Sequence, residues 1–75
     1  MGSVALNRLR EVTEGVINSF YGLRVDDVTP DLIRKKCMDE YNKLLLPERV
    51  YCQAFISCNK IRVEVGYGPA TFFVP

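Results

Sequence analysis

The sequence contains no histidine and no tryptophan. The absence of histidine removes the side chain that most often serves as a general base and as a metal ligand near neutral pH. Three cysteines without histidine do not close a tetrahedral zinc site unless a carboxylate or a second chain completes it. We therefore expect no catalytic residue, no metal and no cofactor, and we predict that the protein is not an enzyme.

Long apolar runs and targeting signals are also missing. No stretch reaches the roughly 18 apolar residues that a membrane-spanning helix needs, and no charged start followed by an apolar centre suggests a secretion signal. Three cysteines are too few for the dense disulfide framework of a small secreted domain. These features favour an intracellular, cytoplasmic protein with free thiols and no membrane partner.

Neither sign of charge dominates, because ten Lys and Arg against nine Asp and Glu give a formal net charge of +1. This balance does not favour nucleic acid as a partner. No glycine-rich phosphate loop occurs either, since Pro69 stands where a helix would have to offer its first N–H groups. No small-molecule substrate is evident.

Two amphipathic helices are predicted in the first half of the chain. Over residues 3–21 the apolar positions recur with helical spacing, with Ser3 as a candidate cap and Gly22 after the end. Over residues 29–45, Thr29 is suited to the N-cap and Pro30 to the first helical position. Pro47 ends this second helix. The short connector between the helices contains an Asp26–Asp27 pair that is typical of a turn and cap.

The last third of the chain changes to a period of two, which predicts strands over residues 49–57, 60–65 and 70–74. Cys58 and Asn59 form a two-residue hairpin loop, with Ser57 opposite Lys60. Residues 66–69 are predicted as a second turn, with Val65 opposite Ala70. The predicted inner face consists of Val50, Cys52, Ala54, Ile56, Ile61, Val63, Val65, Ala70, Phe72 and Val74.

These elements predict a single small domain over residues 1–75, because a chain of this length forms only one modest core. Two N-terminal helices would pack on one face of a C-terminal three-stranded antiparallel meander. The predicted fold class is therefore α+β, in two layers, with the order ααβββ.

The opposite face of the predicted sheet carries Tyr51, Phe55 and Phe73, with Arg62 among them. Aromatic side chains together with arginine are typical of the centre of a protein interface, and small monomers seldom expose so much apolar surface. Alternatively, the sheet curls, or residues 23–25 cover these rings. The last strand also offers an open edge, which its shortness and Pro75 would protect.

Two further residues extend this predicted interface. Tyr67 is expected near the outer face, in the second turn. Arg34 falls inside the apolar arc of the second helix, where its side chain would either reach out to solvent at the edge or contact a partner. The complete predicted interface is Tyr51, Phe55, Arg62, Tyr67, Phe73 and Arg34.

Two alternative functions remain open. Nucleic-acid binding would need several cations on one surface, and the candidates are Arg34, Lys35, Lys36, Lys43 and Arg62. Consecutive residues of a helix point about 100° apart, so these charges are expected to be dispersed. Thiol chemistry would depend on Cys58 in the hairpin turn, where no base is identifiable, whereas Cys37 and Cys52 are expected in the core.

The sequence thus predicts a non-catalytic protein-interaction or structural subunit. It would self-associate or dock into a larger assembly through the aromatic outer face of its sheet. The size and the lack of catalytic groups are compatible with a small viral or phage assembly component, although no motif points to one.

Overall fold

A computed structural model describes residues 2–22 and 28–75, with side chains from Val4 onward. The predictions for Ser3, for residues 23–25 and for the Asp26–Asp27 turn lie outside the part described. The elements are α1 (Gly2–Tyr21), α2 (Pro30–Lys43), β1 (Val50–Ser57), β2 (Lys60–Tyr67) and β3 (Ala70–Val74).

The predicted order ααβββ is confirmed, with both helices in contact with one three-stranded antiparallel sheet. α2 packs mainly on β1, whereas α1 contacts α2, β2 and β3. The core between the layers contains Leu9, Val16, Ile17, Phe20, Ile33, Cys37, Tyr41, Val50, Cys52, Ala54, Ile61, Val63, Val65, Tyr67 and Val74.

The beginning of α2 matches its prediction. Thr29 is extended, at φ −119° and ψ 156°, and its side chain accepts a hydrogen bond from the Leu32 N–H. The helix ends at Lys43, two residues before the predicted boundary. The reason is local, because the Leu44 N–H bonds to the Tyr41 carbonyl and Leu45 adopts a left-handed φ of 53°, which no helix continues.

The first hairpin has the predicted register, with Ser57 opposite Lys60 and Cys52 opposite Val65. Its loop residues, Cys58 and Asn59, have φ values of 51° and 61°. Positive φ at both central positions is the signature of the type I′ turn that suits a twisted hairpin.

The prediction of a four-residue turn over residues 66–69 was wrong. β2 continues to Tyr67, so that Tyr67 pairs with Ala70, and Val65 faces Phe72 instead of Ala70. Only Gly68 and Pro69 form the turn, and Gly68 has a φ of 59°. The left-handed φ is what favours glycine here, since the carboxylate of the exposed Glu48, the group nearest to an added Cβ, is the end of a flexible side chain that can move aside.

Two hydrogen bonds tie α1 to the other elements. Inside the core, the Thr13 hydroxyl donates to the Leu9 carbonyl and also bonds to the Tyr41 hydroxyl of α2. At the end of α1, the Tyr21 hydroxyl accepts the Ile61 N–H of β2 at 2.7 Å. These bonds fix the helices over the inner face, so that the outer face is left on the far side of the molecule.

Candidate docking surface

The outer face of the sheet is formed by alternate residues of all three strands. Because side chains alternate across a strand, the pairing of Gln53 with Glu64, and of Glu64 with Phe73, sets these residues in one row. Phe55 and Arg62 form the neighbouring row. We use "outer face" below for Tyr51, Gln53, Phe55, Arg62, Glu64, Thr71 and Phe73.

Three aromatic rings on this face are open to solvent. Tyr51 is 52% exposed, Phe55 41% and Phe73 49%. Their places on the outer face agree with the sequence-based prediction. The alternative that residues 23–25 cover the rings lies outside the part of the chain that the structure describes.

Polar contacts hold the aromatic side chains in place. The Arg62 guanidinium lies over the Phe73 ring, 5.5 Å from its centre, in a cation–π arrangement. The Tyr51 hydroxyl donates to the Gln53 side-chain oxygen. Tyr51 also lies beside Gly66 of the next strand, where an added Cβ would sit 3.5 Å from the tyrosine ring. The surface is therefore partly organised before any partner arrives.

Tyr67 does not belong to this surface, and the prediction that it lies near the outer face, in the second turn, was wrong. It is 7% exposed and lies on the inner face, as a member of the core. The cause is the extension of β2, because residue 67 continues the inward series of Val63 and Val65 instead of entering a turn.

Arg34 is exposed and lines a groove between α2 and β1, away from the outer face. The walls of this groove include Asp31, Arg34 and Met38 of α2, and its floor includes residues 50–54 of β1. Met38 and Val50 also line the adjoining depression, which extends to Leu45, a residue that is 87% exposed. Spacing along α2 placed Arg34 inside the apolar arc of the helix, but it did not predict this groove.

The five basic candidates for nucleic-acid binding are spread over several surfaces, although Lys36 and Lys43 both lie near Glu40 on one side of α2. Arg34 lines the groove beside β1, Lys36 lines a depression between α1 and α2, and Arg62 lies on the outer face. The Lys43 ammonium pairs with the Glu40 carboxylate at 2.9 Å, and Lys35 is exposed on α2. Such dispersion gives no continuous basic surface for a phosphate backbone, so this function stays an unfavoured prediction.

The three thiols occupy two kinds of environment. Cys58 is exposed in the hairpin turn, beside the Ser57 hydroxyl. Cys37 and Cys52 are buried, as predicted. The neighbouring Cys52 thiol and burial raise the pKa of Cys37, whereas the Cys37 thiol lowers the pKa of Cys52 against the effect of burial. The positive charge of Arg34 lowers the pKa of Cys52 further.

Two other features, a metal site and a membrane-spanning helix, are not found in the part of the chain that the structure describes. Over residues 2–22 and 28–75, no three His, Cys, Asp or Glu side chains converge in a way that could hold a metal ion. In the same part of the chain, neither helix combines the length and the apolar character needed to cross a bilayer.

The outer face and the groove beside β1 are the two surfaces on which a functional assignment depends. The chain matches no protein-family model, and comparison with curated proteins and with solved structures finds no significant similarity.

Proposed function

We propose that this protein is a non-catalytic interaction subunit that self-associates through the outer face of its sheet. The observation that carries the proposal is the exposure of Tyr51, Phe55 and Phe73 on the side of the sheet away from the helices. Taking a large apolar side chain from full exposure to full burial contributes about 1.5–3 kcal/mol, and each of these rings, already about half covered, gains correspondingly less. Three such side chains on one face favour association when a matching surface is available.

A second copy of the chain is the occupant that the charges favour. Arg62 and Glu64 lie two residues apart on the same face of β2 and carry opposite charges. When two outer faces meet about a twofold axis, the Arg62 of one copy approaches the Glu64 of the other, and no net charge is buried. A partner of strongly acidic or basic character would leave one of the two charges unpaired.

The chemistry of the thiols supports an intracellular site of action for this subunit. Cys37, Cys52 and Cys58 are all free. Free thiols persist in reducing compartments, whereas disulfides form in oxidising ones. Assembly into a larger structure, of viral or other origin, would be an extension of the same self-association.

Light scattering coupled to size-exclusion chromatography, over a wide range of protein concentration, tests this function. We expect a mass that rises to a multiple of 8.6 kDa for the wild type. Phe73→Asp should shift the equilibrium towards the monomer without unfolding, because Phe73 is half exposed. Asn18→Asp, which places the same charge on the exposed side of α1, is the matched control and should associate normally.

Two results would overturn the proposal. One is a wild type that elutes as a monomer at every concentration. The other is a Phe73→Asp variant that remains folded by circular dichroism and associates as strongly as the wild type, since its partner surface would then have to lie elsewhere.

A further inference from the structure

β1 is an edge strand of the described sheet whose own residues lack the usual protection. The strand order is β1-β2-β3, so β1 has a hydrogen-bonded neighbour on one side only. Its eight residues, VYCQAFIS, include no charged residue, no proline and no glycine. Natural edge strands are normally kept short, charged, bulged or interrupted by proline to prevent pairing with another chain. The opposite edge, β3, is short, at five residues, and is flanked by Pro69 and Pro75.

The hairpin loop determines which backbone groups of β1 face the open edge. In a two-residue loop, the flanking residues Ser57 and Lys60 form a hydrogen-bonded pair. Every second residue back along β1 therefore bonds to β2, and the residues between them point their N–H and C=O groups outward. These outward residues are Val50, Cys52, Ala54 and Ile56.

Two observations agree with this assignment. In β2 the same alternation turns the Ile61 N–H away from β1, and this group is bonded to the Tyr21 hydroxyl beyond the end of β3. Within the described residues, no backbone hydrogen bond from a turn, loop or cap reaches the outward groups of β1. Within residues 2–22 and 28–75, the outward donors and acceptors of this edge thus have no backbone partner, and they lie beside a groove.

We propose that β1 pairs antiparallel with β1 of a second copy, centred on Gln53, so that the two sheets join into one of six strands. This inference rests on the proposed self-association and names the strand through which it begins. With Gln53 opposite Gln53, Cys52 faces Ala54 and Val50 faces Ile56 of the other copy. This register pairs every outward N–H and C=O group of both strands. In a register centred on Cys52 or Ala54, some of these groups would lie beyond the end of the other copy's β1 and would stay unpaired.

The side chains are complementary in the same register. On the outer face, Tyr51 of each copy lies opposite Phe55 of the other, and aromatic pairs across strands are favourable by up to about 1 kcal/mol each. No charged side chain of β1 is brought against its own copy, because the strand has none.

The charged residues of α2 that line the groove are also complementary to the same residues of the second copy. α2 runs antiparallel to β1, with Met38 beside Val50, and Arg34 is close enough to Cys52 to affect its pKa. The centre of the paired strands therefore lies beside Arg34. A twofold axis there brings the Arg34 of each copy within reach of the Asp31 of the other, one helical turn away. The charges at the groove are thus complementary between two identical chains.

Cross-linking through a new cysteine tests the register. In Gln53→Cys/Cys58→Ser, the new thiols face each other in a pair that is not hydrogen-bonded, with Cα atoms about 4.5 Å apart, which suits a disulfide. Glutathione disulfide is the oxidant: the two thiols give up two protons and two electrons, and two molecules of glutathione form. We expect most of the protein to migrate as a covalent dimer under non-reducing conditions.

Ser57→Cys/Cys58→Ser is the matched control, because residue 57 lies on the same strand and the same face. In the proposed register its two copies are about 27 Å apart, at ~3.4 Å per residue, so it should remain uncrosslinked. Equal cross-linking of both variants, or no cross-linking of the Gln53→Cys variant while the wild type associates, would overturn the pairing.

A charge at the centre of the strand, compared with Phe73→Asp, distinguishes this inference from the function on which it rests. Both variants are needed because Gln53 itself lies on the outer face, in the row of Glu64 and Phe73. Gln53→Lys sets two ammonium groups directly opposite each other and should abolish the pairing of the two β1 strands without unfolding the chain, since Gln53 is exposed. Dimers that survive in Phe73→Asp but not in Gln53→Lys would support the strand pairing and reject the role of the outer face. Dimers that survive in Gln53→Lys but not in Phe73→Asp would do the reverse.

Discussion

Thr13 and Tyr41 form the polar contact inside the core at which α1 meets α2. Thr13 is fully buried and Tyr41 is 2% exposed. Because the Thr13 hydroxyl gives its proton to the Leu9 carbonyl, at 2.6 Å, the Tyr41 hydroxyl must be the donor to Thr13. Both hydroxyl groups thereby have a hydrogen-bond partner. The bond also constrains how the two helices are oriented in an otherwise apolar contact.

Removing the Thr13 hydroxyl alone should cost more than removing both hydroxyl groups. Thr13→Val leaves the Tyr41 hydroxyl buried without an acceptor, at a cost of about 1–3 kcal/mol. In Thr13→Val/Tyr41→Phe no hydroxyl remains to be satisfied, so the double variant should lose less free energy of unfolding than the sum of the single variants. Urea denaturation of the four proteins measures the coupling, which we expect to be at least ~0.5 kcal/mol. Strict additivity would contradict the hydrogen bond.

The same tyrosine should make the stability sensitive to alkaline pH. Burial raises the pKa of Tyr41 above its ordinary value of 10.0, so the folded chain keeps the phenol proton after the unfolded chain has lost it. The stabilisation of the fold that depends on the protonated Tyr41 phenol is fully present below about pH 10. It is lost as the pH rises further, at up to ~1.4 kcal/mol per pH unit. The raised pKa of Cys37 acts in the same direction from about pH 9, whereas the lowered pKa of Cys52 opposes it.

Tyr41→Phe separates the phenol from the thiols in this pH dependence. The free energy of unfolding of Tyr41→Phe should be lower than that of the wild type at neutral pH. The difference should narrow above about pH 10, because only the wild type has a phenol whose raised pKa lowers its stability there. Denaturation at a series of alkaline pH values makes the comparison. Two parallel curves would show that Tyr41 ionises as readily in the folded chain as in the unfolded one.

At the level of elements, the hairpin between β1 and β2 contains a residue poorly suited to its position. Cys58 adopts a φ of 51°, a left-handed conformation that asparagine and glycine tolerate far better than other residues. Because its thiol is exposed, replacing it removes no core contact. Cys58→Asn should therefore raise the free energy of unfolding by about 0.5–1 kcal/mol, as measured by thermal or urea denaturation.

Cys58→Ala is the control for this substitution, since alanine keeps the Cβ that makes the left-handed region unfavourable. It should change the stability by less than Cys58→Asn does. If the two variants proved equally stable, the gain would have to come from loss of the thiol and not from the backbone of the turn.

The first hairpin was predictable because local and cross-strand signals agree. Asn59 tolerates positive φ, and the pairing of Ser57 with Lys60 separates apolar from polar side chains. The second turn was not predictable from the same kind of signal, since Gly66 and Gly68 are both acceptable turn residues. In the structure Gly66 lies within β2, beside Tyr51, and Gly68 is the one of the two with the left-handed φ of a turn.

The outer face could be predicted wherever alternation alone decides the side of the sheet, as for Phe55, Arg62 and Phe73. Tyr67 was misplaced because its side depends on where β2 ends. The groove beside β1 could not be predicted from the sequence, for a different reason. It depends on the position of α2 against the edge of the sheet, which the helical period of Arg34 and Met38 does not specify.

At the scale of the whole molecule, the sheet divides two chemical environments. Its inner face is buried against both helices and contains no charged side chain among the core residues. Its outer face combines exposed rings with Arg62 and Glu64. The two faces are built from alternate residues of the same strands. A substitution on the inner face should therefore affect folding, whereas one at the adjacent outer-face position should affect association.

Thermal stability should therefore depend on protein concentration. Association that occurs only in the folded state stabilises that state by mass action, by about 2.7 kcal/mol when the partner is at 100 times the Kd. Since 1 kcal/mol shifts the Tm of a domain of this size by roughly 4–8 °C, the wild-type Tm should rise by several degrees over a hundredfold increase in concentration. Scanning calorimetry or circular dichroism measures the shift.

Two substitutions on neighbouring strands separate association from folding in that experiment. Phe55→Asp places a charge on the outer face and should give a cooperative transition whose Tm no longer varies with concentration. Val63→Asp places the same charge at a fully buried position and should abolish the transition, because an unpaired carboxylate in the core costs several kcal/mol. A Phe55→Asp variant that failed to fold would mean that its ring stabilises the monomer itself, and the outer face would then be part of the fold instead of a surface for a second copy.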